Sequence, residues 1–370
     1  MLETLQSSHT TLDGLKMLMI TWNVNAKLDE AQNLKQLFFK EEEKCFGSTP
    51  EIIVFGLQEM VELSTTNVIG GSMVGNSQER VEQWRAMLLQ VLREEDKSFE
   101  MVTSKNMVGL WITVFSLRQF RQHISKIQVA CLGRGVGGVL GNKGAVYARF
   151  YIRDTSICLV CAHFAAHREH LHKRNEDFYA ILTHKAFPEV LDAACTLELS
   201  NLSQHAGAAM AAESAKGARM QERIASMKRT LCANKIPCPP PMNTKQEMLA
   251  NYTGPLDHDI ILWMGDLNYR LIAGMENSRI YDIIDGRRSY ALLNMDQLNI
   301  ERERGNVFQG FHEGMITFDP TYKYVPGSTI GYNRERCPAW CDRVLWKLKN
   351  NYISPNEYVD ITPEDLTPAV

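Results

Sequence analysis

The feature that most constrains this chain is a series of short apolar runs rich in β-branched residues. They lie at Met17 to Val24, Ile52 to Leu57, Leu110 to Phe115, Ala145 to Tyr151, Ile157 to Ala162 and Ile260 to Met264. Runs of this length bounded by polar or Gly-containing segments read as strands, and their near-continuous apolar character marks strands covered on both faces. Between them, Glu30 to Cys45, Gln78 to Glu95 and Glu169 to Lys185 carry apolar residues three and four apart, the spacing of helices with one buried side. The combination predicts an α/β chain built on a large mixed sheet core. At 370 residues, 45% of them hydrophobic, the chain has enough apolar material for it.

One stretch breaks this rhythm. Residues 186–257 begin with helical periodicity, pass through an Ala-rich segment and end in the prolines Pro239 to Pro241. This reads as an excursion inserted within a domain, its Ala-rich part helix-prone but poor in large apolar anchors.

Charge and cysteine usage exclude several classes. A formal net charge of -3 argues against a broad basic face for nucleic acid or acidic membrane, so any anion site must be local. The nine cysteines are scattered and odd in number, no signal peptide precedes Met17, and no apolar run reaches the roughly 18 residues of a membrane span. The reading is a reduced, cytoplasmic protein without a transmembrane segment. Cys158 and Cys161 form a CxxC, but inside an apolar strand they fall on opposite faces, which does not suit a shared metal.

Chemistry gathers where the strands end. The first runs into Asn23 and Asn25, the second into Gln58 and Glu59, the run after Ala145 to Tyr151 into His163 and His167, and the last into Asp266 and Asn268. Each group alone has an ordinary explanation as a turn former or cap. Collected in one pocket, the amides and carboxylates would be oxygen donors suited to Mg²⁺, and the imidazoles would suit metal-assisted attack of water on phosphorus. Further on, Phe318 to Trp346 combines Lys, Arg, Tyr and Gly in a loop before a strand at Val344 to Trp346, a composition able to hold phosphate oxygens or to form a plain solvated hairpin.

The motifs TWNVN (Thr21 to Asn25), GLQEM (Gly56 to Met60), GNKGAV (Gly141 to Val146), HFAAH (His163 to His167), RNEDF (Arg174 to Phe178), GDLNYR (Gly265 to Arg270), TYKY (Thr321 to Tyr324) and PAWCDRVLW (Pro338 to Trp346) occur in this order. In that set and order the chain resembles the inositol polyphosphate 5-phosphatases, from Met17 to Trp346 apart from the excursion. The resemblance implies a DNase I-like four-layer α/β sandwich with two packed mixed sheets between helices. It implies a Mg²⁺-dependent phosphomonoesterase acting on the 5-phosphate of a phosphoinositide or soluble inositol polyphosphate, with peripheral membrane contact where the substrate is a lipid.

Carried over by motif, Asn23 and Glu59 would hold Mg²⁺, Asp266 would orient or deprotonate water, Asn268 would hold water or a phosphate oxygen, and His163 would donate to the 5-phosphate. Asn25 would position water. Asn142, Lys143, Arg174 and Asn175, with Asp177, would line the groove and brace its walls. Tyr322, Lys323, Arg334 and Arg336 would grip a neighbouring 4-phosphate, on a loop about two residues shorter than the family's. Asp342 would orient a catalytic histidine from a Ser-Asp-His tripeptide. That tripeptide is missing, and the last histidine is His312. The expectation is a single catalytic domain over residues 1–370, incomplete at its C-terminal end. Two other functions stay open: a nuclease of the same superfamily, against which the basic loop argues, and a catalytically impaired phosphoinositide-binding module.

Overall fold

The computed structural model describes residues 14–28, 34, 49–61, 73–94, 98–135, 142–188, 252–325 and 331–349. The chain divides into two compact units, Met1–Ala186 with Gly254–Val370, and Phe187–Thr253.

In the larger unit, strands β1 (Met17–Asn23) and β2 (Ile52–Gln58) are followed by helix α1 (Met73–Glu94), then by β3 (Phe99–Met107), β4 (Leu110–Leu117), β5 (Ile124–Gly133), β6 (Gly144–Ile152) and β7 (Thr155–His163), and by helix α2 (Leu171–Leu182). The smaller unit is described only by β8 (Phe187–Pro188) paired antiparallel with β9 (Tyr252–Thr253); the Ala-rich and Pro-rich stretches lie outside the described residues. The larger unit resumes with β10 (Ile260–Asp266), helix α3 (Asn277–Asp285), helix α4 (Gln297–Glu303), β11 (His312–Glu313) and β12 (Asp342–Leu348). Of the helix expected at Glu30 to Cys45, only Leu34 is described, helical and buried.

Two mixed sheets result. One has the order β1-β2-β4-β3, with β1 and β2 parallel; the other runs β11-β12-β10-β7-β6-β5, with β10 and β7 parallel. Alternation along each strand decides what fills the space between them. In β2, Ile52 and Val54 point at the second sheet and join Val146, Leu159, Cys161 and Met264 in one core. The intervening Ile53, Phe55 and Leu57 pack under α1, whose Val81, Trp84, Leu88 and Val91 recur at three- and four-residue spacing. On the far face of the second sheet, Trp263 meets Phe164, Phe178, Phe308 and Phe311 in an aromatic cluster under α2. The layers are therefore helix, sheet, sheet and helix, as the sequence reading expected.

Each fully buried aliphatic side chain of this core contributes about 1.5–3 kcal/mol, so the strand ends are anchored to a rigid platform. Cys161 belongs to the inter-sheet core while Cys158, three residues earlier, falls on the other face; both are free and fully buried. Burial pushes both thiols up, Cys161 to about 12, so neither is a ready metal ligand.

Candidate active site

The residues singled out from the sequence continue the inter-sheet alternation to its end. Asn23 follows Met17 and Met19 at even steps along β1, Gln58 follows Ile52 and Val54, His163 follows Leu159 and Cys161, and Asp266 follows Met264. Apolar filling gives way to polar groups at one end of both sheets. Register then aligns them across strands: Asp266 pairs with His163 on one side and with Asp342 on the other, and His163 pairs with Gly144. Lys143 and His163, Asp266 and Asp342 thus form a row across the second sheet, facing Asn23 and Glu59 at the end of the first.

The glycine of GDLNYR makes this row possible. Gly265 sits at φ +146, and a Cβ there would lie 2.0 Å from the Ala162 carbonyl oxygen on the neighbouring strand. Only glycine allows β10 to approach β7 this closely while presenting Asp266. Backbone strain concentrates at the same rim, since Asn25, Glu59, His167 and Asn268 all take positive φ values of 47, 52, 74 and 54.

Asp266 is buried and tightly held. Its Oδ2 accepts from Asn23 Nδ2 at 2.9 Å and lies 3.4 Å from His163 Nε2, while Oδ1 accepts the Asn268 backbone N–H at 3.1 Å. Burial opposes its ionisation, but His163, Lys143 and the Asn23 amide outweigh that and hold the carboxyl well below the usual carboxylate range. Glu59 Oε1 is 3.7 Å from His163 Nε2, and Lys143 Nζ packs against that same ring nitrogen. Burial, reinforced by Lys143, lowers the His163 pKa against the pull of Asp266 and Glu59. Burial also lowers that of Lys143, opposed by the same two acids. Ligand atoms of Glu59, His163 and Asp266 all lie within 4.8 Å of one another.

The donor set fits a hard divalent cation. Among the described residues Asn23 Oδ1 accepts only the Asn25 backbone N–H at 3.1 Å and so keeps a lone pair, and the Glu59 carboxylate is about one-third exposed. Two oxygen donors with a further carboxylate adjacent suit Mg²⁺, with the His163 ring beside them.

The other expected residues take different places. Asn25 is exposed and contributes its backbone N–H to Asn23. Asn142 lies beside Lys143 at the entry to β6, its Oδ1 buried without a hydrogen bond among the described residues. Arg174 is fully enclosed, its NH1 and NH2 donating to the carbonyls of Ala165, His167 and Arg168 and to Gln297 Oε1. Asn175 donates to Glu301 and accepts from Tyr269, and Asp177 holds the Ala165 N–H and Arg134. All three stand in the wall and brace it.

On the loop beyond β11, Tyr322 pairs with Ala339, and Tyr324 with Tyr332, which places Lys323 between two bridges. Arg336 is exposed at the same loop, whereas Arg334 is engaged with Asp285 at 2.7 Å and lies over the Tyr281 ring. Asp342 accepts from Thr321 at 2.6 Å through Oδ2; its Oδ1 is buried and accepts no hydrogen bond among the described residues. Burial, with Asp266 nearby, pushes its carboxyl up to about 8.

Two arginines were missed by the sequence reading. Arg270, the last residue of GDLNYR, donates to Asn268, and Arg343, after Asp342, is the centre of a buried ion-pair network. The signal was their position, since each follows a site residue at the end of a buried strand.

A family model described as Endonuclease/Exonuclease/phosphatase family 2 matches residues 20–364. The chain belongs to that family. Type IV inositol polyphosphate 5-phosphatase 9 of Arabidopsis thaliana is 29% identical over 94% of this chain and 74% of its own length. Type I inositol polyphosphate 5-phosphatase 5 of the same plant is 34% identical over 68% of this chain and 39% of its own length. Among solved structures, the inositol polyphosphate 5-phosphatase domain of a synaptojanin, in complex with inositol (1,4)-bisphosphate and calcium ion, superposes with a TM-score of 0.65 at 21% identity, over 94% of this chain and 80% of that one. This likeness establishes the DNase I-like fold, and the relatives put the chain among hydrolases of the phosphatase kind. Among the described residues no helix is long and apolar enough to cross a membrane.

Proposed function

We propose that the chain is a Mg²⁺-dependent phosphomonoesterase that removes the 5-phosphate of a phosphoinositide or a soluble inositol polyphosphate. The observation that carries this reading is the convergence of Asn23, Glu59, His163 and Asp266 at one end of the two sheets, with Arg270 spanning from Asn268 to the Tyr322 ring. Asn23 and Glu59 would hold the ion, which when bound offsets charge on the phosphoryl oxygens. Asp266, kept ionised by its surroundings, orients or deprotonates water; His163 and Lys143 donate to phosphoryl oxygens; Tyr322, Lys323 and Arg336 meet a 4-phosphate, which Arg334 joins on releasing Asp285. In this reading one catalytic domain is interrupted by the excursion at residues 186–257. The protein acts in the cytoplasm, touching membranes peripherally when its substrate is a lipid. The free state of Cys131, Cys158, Cys161, Cys337 and Cys341 supports a reducing compartment.

A second reading, a module that holds phosphoinositide and hydrolyses it weakly, is favoured by Asp342, whose Oδ1 has no imidazole against it among the described residues. Comparing inositol phosphate binding with turnover in Mg²⁺ separates the two: binding with no detectable turnover selects the module.

Two outcomes test the assignments within the site. Glu59→Gln should weaken Mg²⁺ binding by at least the roughly 10- to 100-fold that follows loss of a ligand's outer partner, with the fold kept, because the substitution keeps size and shape and the side chain is about 35% exposed. A folded variant with an unchanged Mg²⁺ titration would remove Glu59 from the metal site. Arg336→Ala should weaken binding of a 4,5-bisphosphate by roughly 1.5–3 kcal/mol while leaving a 5-monophosphate almost unaffected, since a charge-assisted bond needs the 4-phosphate to be present. Equal losses for both ligands would show that Arg336 supports the loop instead.

A further inference from the structure

Arg270 stands between two parts of the site that the sequence treats as separate. Its NH2 donates to Asn268 Oδ1 at 2.6 Å and its Nε to the Asn268 carbonyl at 3.2 Å. On its flat side the guanidinium lies 4.0 Å from the centre of the Tyr322 ring. Tyr322 is locked to the body by its bridge to Ala339, and the following Lys323 carbonyl accepts from Asn333. One side chain therefore touches both the hydrolytic loop and the arm assigned to the neighbouring phosphate.

The contacts also fix which way the Asn268 amide faces. A guanidinium only donates, so the amide atom against Arg270 is the oxygen. A carbonyl only accepts, so the atom 3.2 Å from the Phe164 carbonyl is the nitrogen. The backbone of Asn268 is pinned as well, at φ 54 with its N–H on Asp266 Oδ1. The amide keeps its second N–H and one oxygen lone pair, and since that oxygen sits against the guanidinium, the N–H is the group free to meet an anionic oxygen.

We propose that Arg270 is a positioning residue that locks the Asn268 amide as a donor and couples it to the Tyr322 arm, so that a phosphate seated on that arm is felt at the hydrolytic centre. The coupling half rests on the 5-phosphatase reading of that arm; the locking half does not. A guanidinium suits both duties, with a donor edge for the amide and a flat face for the ring.

The test follows the Asn268 side-chain amide by NMR in protein labelled with ¹⁵N-asparagine, assigned by its loss in Asn268→Ala. Arg270→Met should shift that amide pair by more than a linewidth, and Tyr322→Leu should leave it near its original position. Inositol 1,4-bisphosphate, which offers the arm a phosphate and carries none at the 5-position, should move the pair in the unmodified protein and in neither variant. If Arg270→Met fails to fold, Arg270→Lys replaces it, keeping a donor without the flat face; the pair should then hold its position and lose the ligand response. An amide unmoved by Arg270→Met, or displaced in Arg270→Lys, would overturn the locking. A ligand response persisting in Tyr322→Leu would overturn the coupling. If inositol 1,4-bisphosphate moves no resonance of the unmodified protein, the coupling falls together with the phosphate reading of the arm, while the Arg270 variants still decide the locking.

Discussion

Asp266→Asn should lower the turnover number for release of the 5-phosphate by about 10²- to 10⁴-fold, the usual contribution of a positioned acid–base group. The substitution keeps size and shape. Its new Oδ1 still accepts either the Asn23 amide or the Asn268 N–H, so the protein should stay folded, with a melting temperature lowered by a few degrees for the bond that is lost. What disappears is the negative charge: His163 loses its ion-pair partner, one of the two N–H donors faces the new NH2, and the water loses its base. Steady-state phosphate release and a thermal melt on the same preparation check both statements. Near-normal turnover in a folded Asp266→Asn protein would show that another group takes the proton.

The largest effect on stability should come from Arg343→Met. Arg343 is 2% exposed and Asp296 is fully buried; NH1 donates to Asp296 Oδ1 at 2.8 Å, Nε and NH2 to Glu313, and NH2 also to Asn299. Glu313 would keep Arg302 as a partner. Asp296 would keep only the Asn299 N–H that caps α4, leaving a carboxylate inside the fold without its counter-charge. Removing one member of a buried pair costs about 3–5 kcal/mol, because the remaining charge is left desolvated. Denaturant unfolding at neutral pH measures it. A loss under about 1 kcal/mol would mean that water reaches Asp296 in the variant, and the network would then be no prop for the second sheet.

The sequence disclosed every strand that forms a continuous apolar run, including the half-buried edge strand β1, and hid the edge strands that do not. β2, β6, β7 and β10 appear as continuous apolar runs because they lie inside a sheet between layers. β3 and β5 were missed because each is a sheet edge with few fully buried positions and carries a register shift that interrupts the pattern. Helix α1 begins at Met73, five residues before the apolar spacing that the sequence offered from Gln78. The site was legible as a set of strand-end residues, because polar groups at the end of a buried strand must either find partners or serve chemistry. Its layout was not legible, because the row from Lys143 to Asp342 depends on strand register and no local signal encodes register. Arg174 shows the intermediate case: with Asp177, Phe178 and Ile181 it lies on the inward face of α2 by simple helical spacing, which points to a buried brace.

The central claim, that this chain cleaves the 5-phosphate at a metal-holding site built on Asn23, Glu59, His163 and Asp266, is tested most directly by identifying which phosphate leaves. Inositol 1,4,5-trisphosphate is incubated with the protein and Mg²⁺, and the product isomer is resolved. The account predicts inositol 1,4-bisphosphate, formed at whatever rate the chain supports, and lost both on chelation of Mg²⁺ and in Asp266→Asn. No product, release from the 1- or 4-position, or turnover that continues unchanged in chelator or in Asp266→Asn, would contradict it.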